Sequence, residues 1–184
     1  MNRLQGKRAL ITGGSRGIGA AIAKRLAADG ADVAITYEKS AERAQAVVAG
    51  IEALGRRAVA IQADSADPVA VRDAVDRAAE AFGGLDILVN NAGVADYACV
   101  DAMPMTMFDT TIEHYLRIPF ALAQAAIPLM RARGAGWIVN AGPVTALPPL
   151  RPFAAVSRAG GATVLAAAKA APSPCRPGLA AHLA

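Results

Sequence analysis

Aromatic residues, cysteines and long apolar runs are all scarce in this chain. Aromatic side chains make up 4% of the 184 residues although 54% are apolar, so the core must consist mainly of Ala, Val, Leu and Ile, as in helices packed closely on a parallel sheet. No stretch approaches the roughly 18 consecutive apolar residues of a membrane-spanning helix. The N-terminus also lacks the apolar run and cleavage site of a signal peptide. We therefore expect no membrane association.

The number of cysteines and the distribution of charge indicate the compartment of the protein and the ligands that it does not bind. Cys99 and Cys175 are the only two cysteines; a lone pair forms neither a disulfide framework nor a metal site, so we expect a cytoplasmic protein that binds no metal. The net charge is +4, but the Lys and Arg residues are scattered rather than clustered along a phosphate-binding surface. We expect no nucleic-acid binding and only a mild attraction to anionic ligands.

Predicted strands and helices alternate along most of the sequence. Helix 68–82 has the clearest ends, with Asp67 as N-cap, Pro68 at its first position and Gly83 after its last turn. The alternation predicts a Rossmann-type α/β fold with a doubly wound parallel sheet, in one domain over residues 1–171. Three prolines mark residues 172–184 as an unstructured tail. The predicted strands are 8–12, 32–36, 58–62, 85–89 and 136–140, and the predicted helices are 18–29, 41–54, 68–82, 106–131 and 153–171.

A glycine-rich turn between the first predicted strand and helix is the strongest functional signal. Its sequence is Thr-Gly-Gly-Ser-Arg-Gly-Ile-Gly over residues 12–19. Gly13 permits a tight turn, Gly17 removes a side chain where a pyrophosphate must approach the backbone, and Gly19 lets the helix pack closely on the strand. The N–H groups at the helix N-terminus would then face the phosphates. The alternative is a loop that only reverses the chain.

The end of the second predicted strand indicates which dinucleotide is bound. Sites that select NAD usually place an Asp or Glu there, on the ribose 2′-hydroxyl. Here the strand ends in Thr36 and Tyr37, and a 2′-phosphate would instead be surrounded by Arg16, Lys39 and Ser40. This favours NADP(H) over NAD(H). Glu38 argues against that choice if it points inward, and Glu38 and Lys39 are otherwise solvated loop charges.

Two further strand ends carry polar or small residues. Asp64 and Ser65 follow the third strand, where they would hydrogen-bond an adenine. The alternative is an ordinary loop with helix-capping residues. Asn90-Asn91-Ala92-Gly93 follows the fourth strand. Small side chains there would let the backbone approach a nicotinamide ribose, and an Asn side chain could join adjacent strand ends. A simple turn is the alternative for this segment.

Taken together, these motifs resemble the short-chain dehydrogenase/reductase family over about residues 1–155. The resemblance rests on the turn at 12–19, the strand-end Asp64, the NNAG sequence at 90–93 and the long helix before the fifth strand. It implies an NAD(P)(H)-dependent oxidoreductase acting on a small alcohol or carbonyl, and a homo-oligomer formed through the long helices. It also implies three groups of cofactor-binding residues: Gly13, Ser15, Arg16, Gly17, Ile18 and Gly19 at the phosphates, Asp64 and Ser65 at the adenine, and Asn91, Ala92 and Gly93 at the nicotinamide.

The sequence departs from this family at the residues that carry its chemistry. The family uses a Tyr as general acid/base, a Lys four residues later, a Ser that orients the substrate and an Asn in the long helix. By pattern these positions hold Val156, Gly160, Pro143 and Tyr115. A Val donates no proton and a Gly carries no cation. We therefore assign no catalytic residue from the sequence, and the identity of the substrate stays open.

Four side chains remain as candidate acids, namely Asp96, Tyr97, His114 and Tyr115. Only histidine exchanges protons readily near neutral pH, and His114 has the alternative of being an ordinary helix residue. Family members also continue beyond the last helix, so we expect a sheet truncated after its fifth or sixth strand–helix unit. Three hypotheses follow: an NADP(H)-binding oxidoreductase, a non-catalytic NADP(H)-binding or interaction protein, and a truncated inactive fragment.

Overall fold

Five parallel strands and five α-helices form the described part of the computed structural model, which comprises residues 3–94 and 103–141. Strand and helix alternate up to β4, as predicted. The strands are β1 (Arg8–Ile11), β2 (Asp32–Tyr37), β3 (Ala58–Gln62), β4 (Ile87–Asn90) and β5 (Trp137–Asn140), and the helices are α1 (Gly17–Ala28), α2 (Ala41–Glu52), α3 (Pro68–Phe82), α4 (Met105–Ile112) and α5 (Ile118–Ala132).

The strands pair in the order β3-β2-β1-β4-β5, and every pairing is parallel. Strand order reverses next to β1, because the chain leaves β1 to one side and returns to the other side for β4. In open sheets of this kind, ligands bind outside the carboxyl ends of the strands at such a reversal. The topology therefore directs attention to the segments that follow β1 and β4.

Both faces of the sheet are covered, which confirms the doubly wound Rossmann-type fold. Alternate residues of each strand point to opposite faces, so Ala9 and Ile11 pack with α1 and α2 while Leu10 packs with α3 and α5. Most of the packed side chains are Ala, Val, Leu or Ile, as the composition predicts.

Helix α3 has the predicted bounds and ends. The Asp67 carboxylate accepts a hydrogen bond of 2.8 Å from the Val69 N–H, and Pro68 occupies the first helical position. Gly83 ends the helix with a φ of +77°, a conformation that costs glycine little. The other helices and strands lie within about two residues of their predicted bounds up to β4.

The predicted single helix over 106–131 is wrong in detail, because one turn of π-helix over Glu113–Arg117 separates α4 from α5. A π-turn adds one residue to a helical turn and so changes which side chains face the sheet. Tyr115, at its centre, is buried. Such turns occur often at functional sites.

Strand β5 forms one edge of the sheet within the described residues. Trp137 and Val139 continue the row of Ile87 and Val89 on the α1 side of the sheet. The two β5 residues, Trp137 and Val139, are each 49% exposed. The predicted helix 153–171 and the predicted tail 172–184 lie outside the described residues. Among the helices that are described, none combines the length and apolar character that crossing a bilayer requires.

Candidate functional site

Two loops at the carboxyl end of the sheet are joined by a hydrogen-bond network. The Thr12 hydroxyl accepts from the N–H groups of Asn91 and Ala92, each at 3.0 Å. In return, the Asn91 amide donates to the Thr12 carbonyl at 2.9 Å and the Gly13 carbonyl at 3.3 Å. The network fixes the glycine-rich turn against the end of β4. It confirms the expectation that an Asn of the NNAG segment joins adjacent strand ends.

Thr12 and Thr36 are structural residues of this site whose roles the sequence did not reveal. The Gly13 N–H donates to the Thr36 hydroxyl at 3.0 Å, so the turn is also held by the end of β2. Thr12 directly follows β1 and Thr36 is the next-to-last residue of β2, and both residues are buried. A polar β-branched residue at the end of an otherwise apolar strand is the signal that could have identified them.

The glycines of the turn differ in what a side chain at each position would contact. A Cβ on Gly19 would overlap the Gly13 carbonyl oxygen and lie 2.6 Å from the Asn91 amide nitrogen, which confirms that α1 packs closely on the turn. A Cβ on Gly13 would lie 3.0 Å from the Ala92 Cα. Gly17 differs from both, because a Cβ there would meet nothing within 4 Å. The space beside Gly17 is therefore open for a ligand.

Helix α1 begins at this open space without a side-chain cap. Arg16 is its N-cap residue and makes no side-chain hydrogen bond to the first turn. The first N–H groups of a helix have no partners within it, and they attract anions. The Ile18 side chain is 71% exposed on the same turn. The start of α1 thus presents backbone donors and one apolar side chain to a bound molecule.

The end of β2 carries a small cluster of charges. The Lys39 ammonium lies 2.9 Å from the Glu38 carboxylate, and both side chains are exposed. Hydrogen bonding to Glu38 and its charge, with a smaller contribution from Asp64, raise the pKa of Lys39 above its ordinary value. Glu38 therefore pairs with Lys39 at the end of β2. Ser40 is the N-cap residue of α2 and makes no capping hydrogen bond, so its hydroxyl is not used there.

Asp64 and Ser65 follow β3 at the same end of the sheet. The Asp64 carboxylate accepts a hydrogen bond of 2.8 Å from the Ala66 N–H, which closes a tight turn before α3. The adjacent Ala63 N–H donates to the Tyr37 carbonyl, so this loop is anchored to the end of β2. Asp64 itself is exposed. Asp64 thus shapes the loop before α3, whose N-cap is Asp67, and its carboxylate is also open to solvent.

Gly93 and Tyr115 are packed together at the nicotinamide end of the predicted site. A Cβ on Gly93 would lie 2.5 Å from Tyr115 Cε1 and 2.6 Å from its hydroxyl oxygen. The Tyr115 hydroxyl donates to the Val94 carbonyl. Tyr115, which stands where the family has its Asn, therefore attaches the π-turn to the segment after β4.

Several residues considered above lie outside the described part of the chain. These are Cys99 and Cys175, the candidate acids Asp96 and Tyr97, and Pro143, Val156 and Gly160 at the positions of the family's catalytic residues. Within residues 3–94 and 103–141, no group of three or more His, Cys, Asp or Glu side chains is arranged to hold a metal ion.

Comparison with known proteins identifies the family to which this chain is similar. The family model for short chain dehydrogenases matches residues 7–171. An L-rhamnose 1-dehydrogenase (NAD(P)(+)) from Sphingomonas is 43% identical over 148 residues, which is 80% of this chain and 58% of that protein. The chain spans about half the length of the curated relatives it matches.

Solved structures also resemble this chain over nearly its full length. A short chain dehydrogenase from Burkholderia cenocepacia, in complex with NADP, is 60% identical with a TM-score of 0.83; the match covers 98% of this chain and 70% of that one. A blue fluorescent protein from a metagenomic library, in complex with NADPH, is 45% identical with a TM-score of 0.84 and the same coverage. Both solved structures contain an NADP-type cofactor.

Proposed function

Because this chain belongs to the short-chain dehydrogenase family, we propose that it binds NADP(H) and acts as an oxidoreductase on a small alcohol or carbonyl compound. The observation that carries the proposal is the turn around Gly17, which is open beside an uncapped helix N-terminus and fixed to the end of β4. Such a turn fits a pyrophosphate, since backbone N–H groups and the helix dipole both favour an anion there.

We assign residues to the parts of the cofactor as the family resemblance implies. Gly13, Ser15, Arg16, Gly17, Ile18 and Gly19 would hold the phosphates, Asp64 and Ser65 the adenine, and Asn91, Ala92 and Gly93 the nicotinamide side. When bound, the nicotinamide supplies or accepts a hydride. The network around Thr12 would hold in place the loop that contacts the nicotinamide.

The preference for NADP(H) rests on the charges near the end of β2. Arg16, Lys39 and Ser40 are the groups that would surround a 2′-phosphate, and no carboxylate stands at the strand tip itself. Glu38, the residue that argued for NAD(H), forms an exposed ion pair with Lys39. The NADP and NADPH complexes of two similar structures support the same choice.

A second candidate function is that of a non-catalytic NADP(H)-binding protein. The observation in its favour is Tyr115, which occupies the position of the family's catalytic Asn and donates its hydroxyl proton to the Val94 carbonyl. In this arrangement the hydroxyl proton of Tyr115 is directed at a backbone carbonyl rather than at a substrate. This candidate predicts NADPH binding without turnover, whereas the oxidoreductase predicts both.

Calorimetric titration of the full chain with NADPH tests the cofactor site, with Gly17→Ala and Gly55→Ala as matched variants. Both glycines have a positive φ, +55° and +73°, and a Cβ on either would meet nothing within 4 Å. The two substitutions therefore strain the backbone alike, by about 1 kcal/mol. Only Gly17→Ala places a methyl group where the phosphates would lie, so we expect it to weaken NADPH binding at least tenfold.

Gly55→Ala should leave the dissociation constant for NADPH within about twofold of the wild type. An equal effect of the two substitutions would mean that the space beside Gly17 is not the phosphate site. Absence of NADPH binding by the folded wild-type chain would contradict the proposed function altogether.

A further inference from the structure

The outer edge of β5 presents backbone groups that no other strand pairs with among the described residues, where β5 is joined to β4 alone. The N–H groups of Trp137 and Ala141 donate to carbonyl groups immediately before β4 and at its end, at 2.8 and 2.9 Å. Backbone groups alternate in direction along a strand, so the N–H and C=O groups of Ile138 and Asn140 point away from β4. These are the groups with which another strand would pair.

This edge has none of the features that commonly keep edge strands from pairing, which are charged side chains, prolines and bulges. The strand reads Trp-Ile-Val-Asn, without a charge or a proline, and its register with β4 is continuous. Trp137 and Val139 project from the α1 side of the sheet and are half exposed, whereas Ile138 packs against the core on the opposite face. Unpaired backbone and exposed apolar side chains therefore occur together on one strand.

A second copy of the same strand matches this edge when the two strands run antiparallel and are centred on Ile138. A twofold axis then places Ile138 opposite Ile138 of the second copy, and their outward backbone groups exchange two hydrogen bonds. Gly136 of each copy forms the next such pair with Asn140 of the other. The whole segment 136–140 is paired in this register.

The same register covers the exposed side chains. Trp137 of each copy lies opposite Val139 of the other as a non-hydrogen-bonded pair, the arrangement in which cross-strand side chains approach most closely. An aromatic and a β-branched side chain form a favourable cross-strand pair. The Lys7 ammonium lies 5.1 Å from the centre of the Trp137 ring, a cation–π contact that restrains the indole. The symmetry produces two such pairs on one face of the sheet.

Neighbouring registers lose this match. Centring the pair one residue later sets Val139 against itself and Trp137 against Ala141. Centring it one residue earlier sets Val139 against Ala135. That register also extends the pairing to Gly134, whose φ of +85° is not a strand conformation. Only the register centred on Ile138 pairs Trp137 with Val139.

We propose that β5 is a self-association site, at which a second copy of this chain adds its own β5, antiparallel and centred on Ile138. The occupant is a second copy because each group on this edge is matched by its own symmetry mate: outward amides by outward carbonyls, and Trp137 by Val139. The two five-stranded sheets become one continuous sheet. This association requires neither cofactor nor turnover, so it goes beyond the proposed function and is tested independently of it.

Disulfide cross-linking tests the strand pairing and its register together. The two native cysteines are first removed as Cys99→Ser and Cys175→Ser, and Ile138→Cys is then added. On the twofold axis the two Cα atoms at position 138 would lie about 5.5 Å apart, within the range of roughly 4.4–6.8 Å that a disulfide spans. We expect mild oxidation of the full chain to convert most of it to a covalent dimer, seen on a non-reducing gel.

Val139→Cys in the same cysteine-free background is the matched control. In the proposed register, position 139 lies opposite position 137 of the second copy. The two introduced thiols are then offset by two residues along the strands, with Cα atoms about 8 Å apart, too far for a disulfide. We expect little cross-linking of this variant. Equal cross-linking of the two variants, or none with Ile138→Cys, would overturn the proposal.

Amide hydrogen exchange of the wild-type chain, followed residue by residue with nuclear magnetic resonance, tests the same pairing without any substitution. The outward N–H groups of Ile138 and Asn140 become hydrogen-bonded only when a second copy is present. We expect their exchange to slow by about tenfold or more as the protein is concentrated from the monomeric to the dimeric range. The Trp137 N–H is the internal reference, because it is already bonded within its own sheet.

Hydrogen exchange also distinguishes a second copy from the chain's own residues 142–184. Protection of Ile138 and Asn140 that is equally strong at every protein concentration would mean that the chain covers its own edge, and it would overturn the proposal. Fast exchange of both amides at every concentration would mean that nothing pairs with the edge, and it would overturn the proposal as well. Only protection that rises with concentration supports association through β5.

Discussion

Lys39 is the residue on which the choice between the two dinucleotides can be tested most directly. Its side chain is exposed and pairs with the exposed side chain of Glu38, so removing it should not disturb the fold. We expect Lys39→Ala to weaken NADPH binding by about tenfold, or 1.4 kcal/mol, because one charge-assisted hydrogen bond to the 2′-phosphate is lost. Calorimetry with NADPH and NADH measures both affinities.

NADH lacks the 2′-phosphate, so its affinity should be unchanged in Lys39→Ala. Arg77→Ala is the control, because Arg77 is an exposed cation of α3 that pairs only loosely with Asp73, at 3.7 Å. An equal loss of affinity for NADPH and NADH would mean that Lys39 does not contact the 2′-phosphate.

Residues of the site differ in how well their structural roles can be predicted from the sequence. Gly13, Gly17 and Gly19 are recognisable because few other residues allow a tight turn and a close approach at that spacing. The contact between Gly93 and Tyr115 joins residues far apart in the chain, and no local pattern encodes it. The same holds for Asn90 and Asn140, whose pairing depends on β4 and β5 being neighbours.

At the scale of elements, the cap of α3 is expected to contribute measurably to stability. Asp67→Ala removes the hydrogen bond to the Val69 N–H and should lower the free energy of unfolding by about 1 kcal/mol. Ser40→Ala is the matched control, since Ser40 is an N-cap residue whose side chain makes no capping bond. Urea denaturation of the two variants and the wild type measures the difference, and equal losses would contradict the assignment.

The start of β2 is held by a buried carboxylate between two arginines. Asp32 is 5% exposed and accepts hydrogen bonds from Arg56 at 2.5 Å and from the Arg57 side chain at 2.8 Å. Burial acts to raise the pKa of Asp32, but the hydrogen bonds from Arg57 and the charges of Arg56 and Arg57 outweigh it and lower the pKa. The ionised carboxylate is therefore favoured by folding.

This lowered pKa predicts a stability that depends on acid pH. The stabilisation is complete above the ordinary pKa of an aspartate, about 3.9, and it is lost as the pH falls through the lower value of the folded protein. Asp32→Asn should reduce the free energy of unfolding at pH 7 by about 1–3 kcal/mol. It should also flatten the loss of stability below about pH 4.

Denaturation measured at a series of pH values tests this, with Asp73→Asn as control. Asp73 lies on the surface, 3.7 Å from Arg77, and exposed pairs contribute little. If both variants kept the wild-type slope in acid, the ion pairs of Asp32 would not be responsible for it.

Helix α3 was predictable because its ends are marked by Asp67, Pro68 and Gly83. The π-turn was not, because the apolar spacing of residues 106–131 fits one long helix almost equally well. What selects the π-turn is tertiary: Tyr115 packs on Gly93 and bonds to Val94. Periodicity describes an element in isolation, and this turn depends on the segment after β4.

At the scale of the whole molecule, the helices after β4 leave apolar side chains in solvent. Met105 is 68% exposed and Phe120 63%, with Leu116 also exposed between them. We propose that this surface joins copies of the chain into a homo-oligomer, as the resemblance to the family implies.

Sedimentation velocity of the full chain tests this proposal. We expect the wild type to sediment as an oligomer and Phe120→Asp to shift toward the monomer, because the substitution places a charge within a buried apolar contact. Val69→Asp is the control, since Val69 is also an exposed apolar residue but lies at the start of α3. A monomeric wild type, or equal sedimentation of wild type and Phe120→Asp, would contradict it.

The architecture as a whole was more predictable than the site. Alternating strand and helix patterns leave few topologies, because crossovers between parallel strands are short and right-handed. The carboxyl ends of β1 and β4 then meet at one edge whatever the loops contain. Where the side chains of those loops point is decided by packing among several elements, as Thr12, Asn91 and Tyr115 show.

The bond between Thr12 and Asn91 spans 79 residues, and this separation has a consequence during synthesis. At about 5–20 residues per second, a ribosome takes roughly 4–16 seconds to reach Asn91 after Thr12. In that interval β1, β2 and β3 can already pair, while the edge of β1 that belongs to β4 stays vacant. The nascent chain thus has an unpaired edge on β1 during those seconds. A chaperone or a neighbouring chain can bind that edge before β4 is synthesised.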